Sequence, residues 1–361
     1  MSELFIGLMS GTSIDGIDAA LVDFNHYKPQ LLASYYQPYE PTLRKEIHDL
    51  CHPGENEIAR LAYLDVLLGK RFAESVNILL KKQSLDFRKI RAIGSHGQTI
   101  RHYPERQFTL QIGDPNIIAV ETGITTVADL RRRDIAQGGQ GAPLVPAFHQ
   151  HVLSSNTNHR VIVNIGGIAN ITLLTANKKN ILAFDTGPGN ILLDAWAAKH
   201  IHQPYDANGA WASQGNINEA LLKKLLNDNY FKLTGPKSTG HEYFNLNWLA
   251  QYISNDLPPV DIQATLTALT AHSIIDSINQ YLPDSEVLIC GGGVHNAYLM
   301  QLLSQSKQPV YSTQTYGIDP NSMEAMAFAW LAKQTLDGKT GNIPSVTGAK
   351  RATILGGIYQ C

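Results

Sequence analysis

Arg160-Val161-Ile162-Val163-Asn164-Ile165-Gly166-Gly167-Ile168-Ala169-Asn170-Ile171-Thr172-Leu173-Leu174 decides the fold. Two runs rich in β-branched residues flank a pair of glycines, which is the pattern of a tight hairpin. A polar turn at Asn177-Lys178-Lys179-Asn180 follows, and residues 181–184 read as a third strand. Phe184-Asp185-Thr186-Gly187-Pro188-Gly189-Asn190 then reads as a strand end, a glycine turn and a helix start. Asn190 is the expected N-cap, with Ile191, Asp194 and Ala195 at helical spacing. Three consecutive strands before a helix make a meander, unlike the βαβ alternation of a Rossmann domain. Asp185 is thereby expected at the carboxyl end of a strand, where open α/β sheets hold their ligands. Its other reading is a simple turn cap.

The chain opens in the same order. Residues 4–9 and 19–23 read as strands around the polar turn Ser10-Gly11-Thr12-Ser13-Ile14-Asp15-Gly16-Ile17-Asp18, and 30–36 as a third strand. Helical patterning follows over 41–51 and 55–82, where Ile58, Leu61, Leu64, Leu67 and Leu68 form one apolar face. The two halves share element order without a residue-level repeat. Residues 90–93 read as a strand running into Ser95-His96-Gly97-Gln98-Thr99, and the chain past 110 reads as rich in loops. A short helical segment ends near Thr122-Gly123, and 125–128 is strand-like. The glycine-rich polar stretch around Gly138-Gly139-Gln140-Gly141 is of the length that usually serves function. Later come helical patterns over 261–281 and 296–303, a buried strand at 286–290, and a last helix at 322–336. Ala325, Ala327, Ala329 and Ala332 would let that helix pack with its backbone close to its neighbours.

At 361 residues the chain favours two domains, and 43% hydrophobic residues supply ample core. A formal net charge of −2 argues against a nucleic-acid binder. Cys51, Cys290 and Cys361 are scattered and lack metal-ligand spacing, which suits a reducing cytoplasm. No stretch has the length of a membrane span, and the start shows no leader pattern. His149, Gln150 and His151 lack a neighbouring carboxylate, so a zinc site is not expected there.

Three glycine motifs suggest nucleotide chemistry. Gly11-Thr12-Ser13 and Gly166-Gly167 sit at hairpin tips, where backbone N–H groups and hydroxyls can face phosphate oxygens. Gly291-Gly292-Gly293 follows a buried strand and suits a flat base; a tight strand-to-helix turn reads equally well. No P-loop pattern occurs.

In this order the motifs resemble the two phosphate elements and the adenosine element of the sugar kinase, heat-shock chaperone and actin superfamily. The resemblance sharpens to the 1,6-anhydro-N-acetylmuramic acid kinase family. It is carried by Gly7-Leu8-Met9-Ser10-Gly11-Thr12-Ser13-Ile14-Asp15-Gly16-Ile17-Asp18, Gly94-Ser95-His96-Gly97-Gln98-Thr99, Asp129-Leu130-Arg131-Arg132-Arg133-Asp134 and Gly138-Gly139-Gln140-Gly141-Ala142-Pro143. Asn164-Ile165-Gly166-Gly167-Ile168-Ala169-Asn170, Asp185-Thr186-Gly187-Pro188-Gly189-Asn190 and Gly291-Gly292-Gly293-Val294-His295-Asn296 complete it, over residues 5 to about 335.

The resemblance implies an α/β, actin-like ATPase (ribonuclease H-like) fold of two domains with an interdomain cleft. The expected domains are 1–130 and 131–361, with part of the C-terminal helical region packing back on the first. It implies ATP and Mg2+ as cofactors, and an enzyme that opens the 1,6-anhydro ring and phosphorylates O6 in peptidoglycan recycling. Gly11, Thr12, Ser13, Ile14, Asp15, Gly16, Ile17 and Asp18 would bind nucleotide with Gly166, Gly167, Gly291, Gly292 and Gly293. Asp185 would take the proton of the attacking water, kept ionised by donors of the 186–190 turn. Gln98, Thr99, Arg131 and Glu324 would contact sugar, with Arg131 favoured over Arg132 and Arg133 for the lactyl carboxylate. His96 reads equally as a structural histidine. The metal ligands are unassigned, because Leu8-Met9-Ser10 stand where many superfamily members carry an aspartate. Asp15 and Asp18 would order the phosphate loop or a metal-bound water. The partner is a small sugar, with no nucleic acid or membrane, and a homodimer is the family expectation. The rivals are a sugar kinase acting on a free hydroxyl without ring hydrolysis, and a non-enzymatic ATP-driven switch.

Overall fold

The computed structural model describes residues 3–26, 28–177, 181–254 and 256–361, so Lys178, Lys179 and Asn180 of the expected turn lie outside the described residues. The chain divides into two compact units. Unit 1 comprises Met1–Val152 and Ser322–Cys361, and unit 2 comprises Leu153–Asn321. The expected division at 130/131 falls inside unit 1. Phe148 and His151 explain the later boundary: their rings pack on Trp330, in the segment that returns to unit 1.

In unit 1, strands β1 (Leu4–Ser10), β2 (Gly16–Asp23) and β3 (Gln30–Pro38) form an antiparallel meander. β4 (Ile90–Tyr103) lies parallel to β1, and β6 (Thr126–Ala128) lies parallel to β4. β5 (Phe108–Ile112) pairs with the far half of β4, and β12 (Gly357–Tyr359) closes the edge on β6. Side chains alternate across β1. Ile6 and Leu8 meet Leu64, Leu68, Phe72, Val76 and Leu79 of the helix Glu57–Lys82 in one core. On the opposite face Gly7 admits the backbone of the helix Met323–Leu336, as its alanines predicted. Each fully buried Ile, Leu or Phe contributes roughly 1.5–3 kcal/mol.

Unit 2 repeats the plan. β7 (His159–Ile165), β8 (Ile168–Leu174) and β9 (Leu182–Pro188) are the antiparallel meander, and β10 (Ser285–Cys290) and β11 (Val310–Ser312) add in parallel beyond β7. The helix Pro259–Tyr281 covers it through Ala271, Ile274 and Ile278. Counted from its own first strand, unit 2 has the order 3-2-1-4-5 of the ribonuclease H-like, actin-like fold that the family resemblance implied, and unit 1 has the matching order β3-β2-β1-β4-β6 with β12 added at the edge. No helix among the described residues is long and apolar enough to cross a membrane.

Two strands outrun their sequence patterns. β4, expected over 90–93, continues through Ser95-His96-Gly97-Gln98-Thr99 to Tyr103, and β5 lies in a stretch that bore no strand assignment. β9 likewise continues through Asp185 to Pro188, in register with Asn170, Ala169 and Ile168 of β8. Pairing supplied by distant segments overrides local turn preference here.

Candidate functional site

Each unit carries part of the candidate machinery and is taken by itself. In unit 1, Gly11, Thr12 and Ser13 form the open tip between β1 and β2, with Ile14 N donating to Gly11 O at 3.2 Å. Ile14 takes a positive φ of 55° and turns its side chain into the core. Gly16 lies against β3, where a Cβ would come within 2.4 Å of Gln37 O, and Ile17 is fully buried. Of the eight residues expected to bind nucleotide here, Thr12, Ser13, Asp15 and Asp18 are exposed, Gly11 is half-buried at the tip, and Ile14, Gly16 and Ile17 hold the hairpin. Asp15 is paired with Arg44 at 3.0 Å.

Asp18 stands opposite Met9 in β2. Burial of its inner side, then the Glu324 and Asp15 carboxylates, push its carboxyl up to about 6. Glu324 lies in the first turn of the 323–336 helix and is half-buried. Burial pushes its carboxyl up, opposed by the Arg131 guanidinium. Burial pushes Arg131 down to about 10, with Glu324 and Asp134 opposing. Arg131, Glu324 and Asp18 thus interact electrostatically from three separate elements.

Arg131 is anchored by His96. Its Nε and Nη2 donate to His96 Nε2 at 3.0 and 2.8 Å, and its Nη1 donates to Gly141 O at 2.8 Å. Burial, then the guanidinium, push His96 down to about 3, so the ring is neutral. Gln98 is fully buried, its Oε1 accepting from Ser10 Oγ at 2.7 Å and its Nε2 donating to Gly11 O at 3.1 Å. Thr99 Oγ1 accepts from Gln111 Nε2 at 3.1 Å. Gln98 therefore serves the base of the 11–18 turn in this structure, and Arg131 stands apart from Arg132, which pairs with Asp129.

In unit 2 the glycine motifs gather at the carboxyl ends of β7 and β10. Gly166 O accepts from Asn190 N at 2.8 Å, and Gly167 O accepts from Gly189 N and Ile191 N at 2.9 and 3.0 Å. Gly291 adopts a φ of 81°, and a Cβ there would meet Asn164 Oδ1 at 2.4 Å. Gly293 abuts Ile165, whereas Gly292 faces open space with Asn190 Nδ2 at the rim. Asn190 occupies the expected N-cap position, but its side chain donates to Ile165 O and makes no capping bond. The 166–167 turn consumes the donors of that helix start.

Cys290, Asn164, Asn170 and Asp185 occupy one rung across β10, β7, β8 and β9. Two strand spacings put Asp185 about 10 Å from Asn164 along the sheet. Asp185 lies inside the edge strand β9, which corrects the expected strand-end position. It is also not held ionised by the 186–190 turn. Its N donates to Lys237 O at 2.9 Å, its O accepts from Tyr230 Oη at 2.8 Å, and its Oδ2 accepts from Thr239 N at 3.0 Å. Burial pushes the carboxyl up to about 6, the Thr239 donor opposing and Glu242 adding. One amide is too few donors to offset lost hydration. Among the described residues, the one hydrogen bond to this carboxylate is at Oδ2.

Sequence reasoning missed Thr239, Tyr230, Lys237 and Asp134. The polar run Lys237-Ser238-Thr239-Gly240 after Gly235-Pro236 was the available signal for the first. Among the described residues no three His, Cys, Asp or Glu converge as a metal site. Mg2+ is commonly held by one or two carboxylates with phosphates and water. Asp18, whose charge its carboxylate neighbours disfavour, has the donor chemistry for that arrangement.

Residues 3–361 match the family described as anhydro-N-acetylmuramic acid kinase. The anhydro-N-acetylmuramic acid kinase of Shewanella denitrificans is 52% identical over 99% of this chain and 98% of its own. That of Saccharophagus degradans is 52% identical over 99% of each chain. That of Shewanella sp. strain MR-7 is 53% identical over 99% of this chain and 98% of its own.

Proposed function

The chain belongs to the anhydro-N-acetylmuramic acid kinase family, and from that premise we propose that it converts 1,6-anhydro-N-acetylmuramic acid, ATP and water to N-acetylmuramic acid 6-phosphate, ADP and a proton. The setting is cytoplasmic peptidoglycan recycling, and the working assembly is the family's homodimer, which light scattering checks.

Asp185 is the base in this reading. Its Oδ2 is occupied by Thr239 N, which leaves Oδ1 to take a proton from water as the water oxygen bonds to C1. The C1–O6 bond breaks, O6 bonds to the γ-phosphorus, and ADP departs. A base held near 6 is ionised at neutral pH and still has proton affinity. The observation that carries the assignment is this buried, one-sidedly tethered carboxylate on the rung shared with Asn164, beside the glycine turns.

Gly11–Ser13 and the 166–167 and 291–293 turns are the proposed nucleotide contacts, Gly292 being the one with open space above it. Glu324 and Arg131 are the proposed sugar contacts, Arg131 taking the lactyl carboxylate. Gln98 would act through the turn it holds, and Thr99 through its hydroxyl. Asp18 is the carboxylate proposed for Mg2+, which when bound neutralises phosphate charge during transfer.

The test is reaction in 18O-labelled water with ATP and the anhydrosugar. Label is expected at C1 of the phosphorylated product. Unlabelled product would favour a kinase acting on a free hydroxyl, and no product at all would favour an ATP-driven switch. Asp185→Asn should keep nucleotide affinity and lose at least about a thousandfold in turnover, the scale of removing a general base and its alignment. Retained turnover would remove Asp185 from that role.

A further inference from the structure

We propose that His96 is a positioning residue for sugar recognition, fixing the plane of Arg131 so that the guanidinium presents a ready fork to the substrate's carboxylate. The proposal rests on the reading that Arg131 takes that carboxylate.

A guanidinium carries five N–H hydrogens and no acceptor. His96 Nε2 receives the Nε and Nη2 hydrogens along one edge, and Gly141 O receives one from Nη1. One hydrogen remains on each Nη nitrogen. An Nη1 and an Nη2 hydrogen along the terminal edge are the pair a carboxylate needs for bidentate binding, and their direction is set once the adjoining Nε–Nη2 edge is held.

The imidazole is itself over-determined. Because Nε2 faces two donors, the ring proton must sit on Nδ1, which donates to Gly97 O at 2.7 Å. The ring face rests on Phe328, centroids 4.8 Å apart. Phe328 lies one helical turn beyond Glu324, on the same face of the 323–336 helix. Through that contact the helix that carries Glu324 also seats the histidine that aims Arg131. A satisfied structural histidine would need none of this: the backbone bond of Nδ1 and the Phe328 contact would suffice, and Nε2 could face solvent or a hydroxyl. Here Nε2 is spent on a half-buried guanidinium that has its own carboxylate, Glu324, within electrostatic reach. Preorganising the fork removes ordering cost at binding and leaves the chemical step alone.

The experiment compares His96→Asn and His96→Gln. The Asn amide nitrogen can replace Nδ1 as donor to Gly97 O but leaves Arg131 without its acceptor, whereas a Gln oxygen reaches the place of Nε2. His96→Asn should raise KM for the anhydromuramic sugar about tenfold, the value of roughly one charged hydrogen bond, with kcat changed less than about twofold. Affinity for the analogue lacking the lactyl group should not move. His96→Gln should recover most of the loss. Equal impairment of both variants, a fall in kcat at constant KM, or equal losses with both sugars would overturn the proposal. Arg131→Gln in the same assay separates the underlying reading: if it spares KM, the carboxylate assignment fails, and if it alone raises KM, only the role of His96 fails. Histidine nitrogen NMR of the unaltered enzyme keeps the question open to refutation should a variant misfold. A Nδ1–H tautomer that resists protonation below pH 5 is expected, and a Nε2–H tautomer refutes the arrangement.

Discussion

Gly7 and Gly94 stand opposite each other in the parallel strands β1 and β4, and one helix lies directly on both. A Cβ on Gly7 would come within 1.7 Å of Ala325 O, and one on Gly94 within 2.0 Å of Phe328 O. Two missing side chains thus set the height of the 323–336 helix, and with it the positions of Glu324 and Phe328.

Gly94→Ala should therefore unseat the helix, because backbone cannot yield as a side-chain tip would. A loss on the order of 3 kcal/mol is expected, at the upper end for overpacking. Urea unfolding measures it. The sugar KM should rise in the same variant, since Glu324 moves with its helix; an unchanged midpoint would mean that the sheet and helix are less closely packed than described.

The acid limb of the activity profile should belong to Asp185. Its carboxyl, raised to about 6 by burial, must be ionised to act, so kcat/KM should fall about tenfold per pH unit below that value. The stability consequence has the opposite sense. A folded pKa above the unfolded one stabilises the fold fully below about pH 4, and the contribution disappears as pH rises through 6. Asp185→Asn should accordingly gain on the order of 2 kcal/mol over the unaltered protein at pH 8 and little at pH 4. Denaturant titration at the two pH values checks it.

Asp134 should be a large contributor to stability without touching substrate. It is fully buried, with Oδ2 accepting from Gly141 N at 2.7 Å and Oδ1 from Asn342 Nδ2 at 2.6 Å and Thr347 Oγ1 at 2.8 Å. Asp134→Ala strands three donors at once, for a cost of about 3 kcal/mol or more. It also frees the Gly141 loop whose carbonyl holds Arg131, so calorimetry and sugar KM should both respond.

Glu324→Gln should behave otherwise. The carboxylate is half-buried and its charge is disfavoured by burial, so removing that charge should leave the melting temperature equal or higher. Sugar KM should rise about tenfold if the carboxylate accepts from a sugar hydroxyl. A lower melting temperature with unchanged KM would assign Glu324 to the fold alone.

The meanders were legible because a hairpin writes itself locally: alternating apolar residues around Gly166-Gly167 need no distant partner to be read. The alanines of the 323–336 helix were legible for the same reason, although the glycines that receive them were not. What escaped reading depends on partners far along the chain. Ser95-His96-Gly97-Gln98-Thr99 is small and polar, and it stays extended because β1 and β5 pair with it while Ser10 bonds Gln98 and Arg131 bonds His96. Asp185-Thr186-Gly187 has turn residues, and it stays in the sheet because Ala169 and Asn170 pair with it on one side and Lys237 on the other. The family motif singled out Asp185 as a candidate, but its tether to Thr239 spans 54 positions and left no periodic trace.

The return of residues 322–361 to unit 1 fixes an order of assembly. Unit 2 is contiguous, so it can close while the ribosome is still at work. Unit 1 waits, with the glycine groove of β1 and β4 uncovered and β6 unpaired on its outer edge, until the helix and β12 have emerged. The part made first is thus the part completed last, and a chain interrupted shortly before residue 322 would carry one finished unit beside an open sheet primed for aggregation.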